Sequence, residues 1–200
     1  DVAFGPESIA LPPAEIRHRV EHALQTVGMT EHRQRPPHLL SLGQLQRVAV
    51  AGVLALLPRC IIFDESTSML DPKGRRMALN LMSELHSQGL TILHITHFME
   101  EAVLAERVIV LHNGTLVLDG SPEQVFSPSS NIASYGLELP PALRLALALQ
   151  PAFSQPLGLP LTPRSLLSTF PPGPGSSVVT EILPATRSQP SVEVRHLSHI

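Results

Sequence analysis

The sequence has one cysteine, Cys60, and one lysine, Lys73, in 200 residues. A single cysteine forbids an intrachain disulfide and so excludes a secreted scaffold held by bridges. Charge is sparse as well: charged residues make up 16%, and the formal net charge is −3 with histidines neutral. That balance offers neither a basic footprint for nucleic acid nor the acidic excess of a solvating tail. No apolar run approaches the roughly 18 residues of a membrane span. The chain is instead rich in apolar residues, at 43%, which is enough for a core, and in proline, with 20 residues. Eleven prolines fall between Pro140 and Pro190, where only Arg144, Arg164, Glu181 and Arg187 carry charge. Composition therefore shifts after about residue 136, and the length suits one ordinary domain with a tail.

Periodicity organises the first part of the chain. Residues 1–11 read as a loop or short extended segment, with Gly5-Pro6 as a turn signal. Pro12-Pro13 suits a first helical turn, Ile16, Val20, Ala23, Leu24 and Val27 follow at helical spacing, and Gly28 marks a stop. Ser41 suits the cap of a helix running through Leu56. Cys60–Phe63 is a short apolar run of the kind that forms a buried parallel strand. Lys73–Gln88 reads as a helix with Met77, Leu81 and Leu85 on one face, Thr91–Thr96 as a second strand and His97–Ala105 as a short helix. Asn113-Gly114 predicts a hairpin between Arg107–Leu111 and Thr115–Asp119, and Pro122–Phe126 a last helical turn. Beyond it only Leu143–Leu149 has a weak helical pattern, residues 171–190 read as a linker, and Ser191–Ile200 alternates like the start of a strand. Strand–helix–strand alternation argues for an α/β fold with a mostly parallel sheet.

Four short segments carry candidate chemistry: Leu40–Arg47, Cys60–Glu65, Ser68–Asp71 and Ile92–His97. An apolar strand ending in Asp64-Glu65 puts two carboxylates at the C-terminal edge of a sheet, where open α/β folds bind ligands. One can face a Mg²⁺ ion and the other orient a water. Taken alone, the same residues suit a strand that ends in two solvated acids. His97, after the second apolar strand, suits a phosphate oxygen or plain solvent. Ser41-Leu42-Gly43-Gln44 at a helix start suits a phosphate or a simple N-cap, and Asp71-Pro72 a turn and cap.

In this order and spacing the four segments resemble the ATP-binding cassette (ABC) ATPases. Asp1–Glu7, Ser66–Arg75 and Ile95–Glu101 are similar to the energy-coupling factor type, which serves cobalt and vitamin uptake. The resemblance implies an ABC ATPase domain of the P-loop NTPase fold, with ATP and Mg²⁺ as cofactors. It implies Asp64 as the metal ligand, Glu65 as general base or water-positioning residue and His97 as the switch histidine. Ser41, Leu42, Gly43 and Gln44 would form a signature loop facing nucleotide held by a partner cassette, and Asp71 would close a loop at the dimer seam. The implied partners are a second cassette, a transmembrane energy-coupling component and a substrate-binding membrane component, with no nucleic acid. The implied location is the cytoplasmic face of the cell membrane.

On this resemblance residues 1–40 belong to a helical subdomain, 41–126 to the catalytic core, 127–170 to an appendage, 171–190 to a linker and 191–200 to the start of a second cassette. The sequence departs from the family pattern at three further points. Its one lysine, Lys73, stands in Pro-Lys-Gly, so these 200 residues hold no G-x-x-x-x-G-K-[ST] loop, and the chain alone is expected to be inactive. Leu42 stands where the family has glycine, and Ser66 where it has proline. Those two changes also suit a regulatory cassette that pairs with an active one.

Overall fold

The computed structural model describes residues 1–153 and 156–170. It opens on a helix, α1 at Phe4–Ser8, where the sequence predicts a loop. Pro6 lies in the first helical turn, where backbone N–H groups have no intrahelical partner, so the proline costs no hydrogen bond there. α2 spans Pro13–Thr26, starts on a proline at its first position and buries Ala23 and Leu24. Gly28, at φ +66°, takes the left-handed turn that ends it. α3 spans Leu42–Leu54.

Next comes a β–α–β unit: β1 at Cys60–Asp64, α4 at Pro72–Ser87 and β2 at Thr91–Ile95. The strands pair in parallel with Asp64 opposite Ile95, so both chains leave the sheet at one edge. The expectation of a buried strand needs correcting. Ile61 and Phe63 are buried with Val50, Ala51, Met82 and Leu85 of the helices, but Ile62, Leu93 and Ile95 on the opposite face are 62%, 46% and 45% exposed. Among the described residues, helices cover one face of this sheet only. The helical face of α4 also differs: Leu85 and Met82 point inward, while Met77 is exposed.

α5 is shorter than its sequence suggests, at Met99–Ala102. β3 at Val108–His112 and β4 at Thr115–Gly120 form the expected hairpin. Asn113 and Gly114 both have positive φ, at 50° and 74°, which is the turn that matches strand twist. A two-residue turn can only give antiparallel pairing. The described residues therefore hold one parallel pair and, in a separate sheet, the predicted antiparallel hairpin, so the parallel sheet expected from the sequence is a small one here. α6 at Pro122–Val125, α7 at Pro141–Leu149 and α8 at Pro163–Thr169 complete the order. Val110, Phe126, Ile132 and Leu143 centre a second core beneath the hairpin. The expected linker at 171–190 and strand at 191–200 lie outside the described residues. Among the described residues no helix is long and apolar enough to cross a membrane.

Candidate functional site

The parallel register of β1 and β2 decides what meets at the sheet edge. Asp64 is the last residue of β1, and Glu65 leaves the strand in the left-handed region at φ 44°. That conformation costs a non-glycine residue about 1 kcal/mol or more, and persists where surrounding bonds fix it. Here the Glu65 N–H donates to the Ile95 carbonyl at 2.9 Å, while the Glu65 carbonyl accepts from the Ser68 N–H at 3.1 Å and its hydroxyl at 2.8 Å. The turn brings Glu65 Oε1 to 3.6 Å from His97 Nδ1, with both side chains more than half exposed. At that distance no hydrogen bond is formed between them. The His97 ring rests against Phe98, with centroids 4.2 Å apart, and the Arg75 guanidinium lies 3.9 Å from the Phe98 centroid.

The remaining sequence-predicted residues gather elsewhere. Ser41 caps α3 reciprocally: its hydroxyl accepts from the Gln44 N–H at 3.3 Å, and its own N–H donates to Gln44 Oε1 at 2.9 Å. The Gln44 amide nitrogen also reaches His32 Nε2 at 3.1 Å. Asp71 caps α4 by accepting from the Gly74 N–H at 2.9 Å. The N-termini of α3 and α4 border a cleft of about 450 Å³, lined by Ser41, Leu42, Gly43, Gln44 and Asp71 together with Lys73 and Gly74. Asp64, Glu65 and His97 are not among its lining residues. The eight predicted residues thus fall into two groups: three at the sheet edge and five around the cleft. Gln46 of α3 bridges them by donating to the Ser66 carbonyl in the loop after Glu65.

Sequence reasoning missed the groups that hold the sheet edge together. Glu101 is 2% exposed and Thr67 1% exposed. One Glu101 oxygen, Oε2, accepts from Thr67 Oγ1 at 2.9 Å, from Thr96 Oγ1 at 2.8 Å and from His94 Nε2 at 2.8 Å. Thr67 stands three residues past the end of β1 and Thr96 directly past β2, five residues before Glu101, so no local signal joins the three. Burial alone would push the Glu101 carboxyl up, but hydrogen bonds from His94, Thr96 and Thr67 outweigh it and hold the carboxyl below the usual range. A depressed carboxyl adds stability that is complete above its unfolded value and lost as pH falls through its folded value. The melting-temperature gap between the wild-type chain and Glu101→Gln is therefore expected to hold steady above the ordinary glutamate value of about 4.3 and to shrink as pH falls below it. A thermal-melt series across pH 3 to 7 checks this, and a gap that widens on acidification contradicts it.

A family model described as ABC transporter matches residues 4–68. The energy-coupling factor transporter ATP-binding protein EcfA1 of Caldanaerobacter subterraneus subsp. tengcongensis is 52% identical over 147 residues, which are 73% of this chain and 53% of that protein. EcfA1 of Symbiobacterium thermophilum is 50% identical over 169 residues, covering 84% of this chain and 57% of that protein. Among solved structures, cbiO1 from Clostridium perfringens, described as part of the ABC transporter complex cbiONQ, superposes with a TM-score of 0.61 at 38% identity. That match covers 75% of this chain and 59% of the other. The chain spans about half the length of the curated relatives it matches. Over the portion it spans, the chain belongs to the ABC transporter ATPases of the energy-coupling factor type.

Proposed function

We propose that this chain supplies part of the ATP-binding subunit of an energy-coupling factor importer, in which ATP hydrolysis drives uptake of a vitamin or a transition-metal ion. The observation that supports it most is the meeting of Asp64, Glu65 and His97 at one sheet edge. ATP and Mg²⁺ are the groups this reading requires, and the residues fit one half of such a site. The end of β1 and the turn after it deliver two carboxylates, hard oxygen donors suited to Mg²⁺, the second of them beside an imidazole. A glycine-rich phosphate cradle with its lysine has no counterpart in these 200 residues, because Lys73 lies in the first turn of α4.

When bound, Mg-ATP supplies the phosphoryl group and a cation that neutralises its oxygens. Asp64 would hold the metal. The Glu65 carboxylate would orient a water and take its proton, and the His97 ring N–H would hold a phosphate oxygen. The cleft at the starts of α3 and α4 would face nucleotide on a second cassette, fused or separate. Packing gives no reason for glycine at position 43, since a Cβ there would meet only Leu70 at 4.0 Å. Close approach of a phosphate to the backbone would give one. The helical part, residues 1–40, would meet the transmembrane component at the cytoplasmic membrane face. Residues 127–170 would form an appendage. A second reading, a regulatory cassette that hydrolyses little, draws on Leu42, which lines the cleft and is 53% exposed.

The test is Mg²⁺-dependent ATP turnover by the full natural chain that carries these residues, reconstituted with its membrane components, beside the 200-residue chain alone. Turnover by the first and none by the second is the expected result. Absence of nucleotide binding in the full natural chain sinks the reading. Turnover by the 200 residues alone, lost on Glu65→Gln, sinks the argument from the missing cradle.

A further inference from the structure

We propose that Glu101 is a positioning residue for the hydrolysis proposed above, locking the loop that carries Glu65 to the turn that carries His97; the inference rests on that reading. Its partners flank the reacting residues. Thr67 stands two positions after Glu65, Thr96 adjoins His97, and His94 lies on β2 opposite Phe63. All three donate to the same carboxylate oxygen, so the two loops are tied at one buried point. The Thr96 hydroxyl also accepts the Phe98 N–H at 3.0 Å, which closes the turn around His97.

The second oxygen, Oε1, faces Arg75 Nε at 3.5 Å as an ion pair without a hydrogen bond. Arg75 extends the tie to α4, and its guanidinium packs on Phe98, the ring against which His97 rests. Four segments therefore converge on one glutamate: the loop after β1, the end of β2, α4 and α5.

A role in folding alone does not call for this chemistry. Burying a carboxylate is costly, and apolar side chains of similar volume commonly fill such a place at equal or better stability. Bonded three times through Oε2, the charged group contributes directionality. Oε2 fixes where each of its three donors sits, and so fixes the separation of Glu65 and His97. Apolar packing would leave the loops free to slide against each other. A small misplacement of catalytic groups is costly in rate, because the reacting geometry must be held before the chemical step.

The experiment uses the full natural chain with Glu101→Gln, Thr67→Val and Thr96→Val, and Thr67→Ser and Thr96→Ser as conservative rescues. Glu101→Gln is expected to lower kcat for ATP at least tenfold with KM within twofold. Each valine variant is expected to give a loss of the same kind, and each serine variant to return kcat to within about threefold of wild type. Amide hydrogen exchange provides a readout independent of ATP. In Glu101→Gln the Ser68 and Phe98 amides are expected to exchange at least tenfold faster together, with α2 and α3 unchanged. If the chain hydrolyses no ATP, the exchange result alone decides this proposal, so its failure is separable from failure of the functional reading. An unchanged kcat in a folded Glu101→Gln protein, or loosening of one loop without the other, overturns it. Should Glu101→Gln fail to fold, the valine and serine pairs decide: valine variants that match wild type overturn the proposal, and a loss rescued by serine supports it.

Discussion

Glu65→Gln in the full natural chain is expected to cut ATP turnover by a hundredfold or more while nucleotide still binds. The substitution is isosteric, and nothing that fixes the backbone at position 65 involves its side chain. The left-handed turn is held by the Glu65 N–H on Ile95 and by Ser68 on the Glu65 carbonyl. The loop should therefore keep its place, and the melting temperature should stay close to that of wild type. An amide cannot take a proton from water, and loss of a positioned general base typically costs a factor of about 10² to 10⁴. The side chain is also exposed and 3.6 Å from His97, with no structural bond to lose. Steady-state turnover and equilibrium nucleotide binding, measured on the same preparation, separate the two steps. Turnover within a few-fold of wild type would remove Glu65 from the chemistry.

Local signals made much of this fold legible. Ser41 with Gln44, and Asp71 before Pro72, mark the starts of α3 and α4, because a cap is specified within four residues. Asn113-Gly114 dictates its hairpin for the same reason: only residues tolerant of positive φ can make that turn. Legibility ends where partners are distant. Glu101 reads as one acid in Met-Glu-Glu-Ala, and nothing nearby in sequence shows that Thr67, 34 residues earlier, will donate to it. Ile62 and Ile61 look equivalent in an apolar run, yet the placement of α3 and α4 buries one and exposes the other. α1 is hidden by a Gly-Pro pair that reads as a turn but is harmless in a first helical turn. The candidate site divides in the same way. Its eight residues were found by motif, but their separation into an edge and a cleft is set by the register of β1 and β2 and by the two helix starts.

Leu42→Gly is expected to raise turnover, by roughly tenfold to a hundredfold, at the nucleotide site that the signature loop of this chain completes. Leu42 is the first residue of α3, lines the cleft and is 53% exposed. Its removal gives up little core contact, and glycine in a helix costs about 1 kcal/mol at most. The fold should therefore tolerate the change. At the cleft the effect is larger. On the proposed reading, a leucine side chain at the α3 N-terminus would keep a phosphate from the backbone N–H groups there, and one well-placed donor is worth about a hundredfold or more in rate. Ser41→Ala provides the opposite control: it removes the reciprocal cap with Gln44, costs about 1 kcal/mol of stability and should lower whatever activity remains. The measurement is single-site turnover in the full natural chain, with the other site silenced by replacing its catalytic glutamate. A rise with Leu42→Gly identifies the leucine as a brake on an otherwise competent site, as the regulatory reading requires. An unchanged or lower rate means the loop already binds with leucine in place, and that reading loses the residue it rests on.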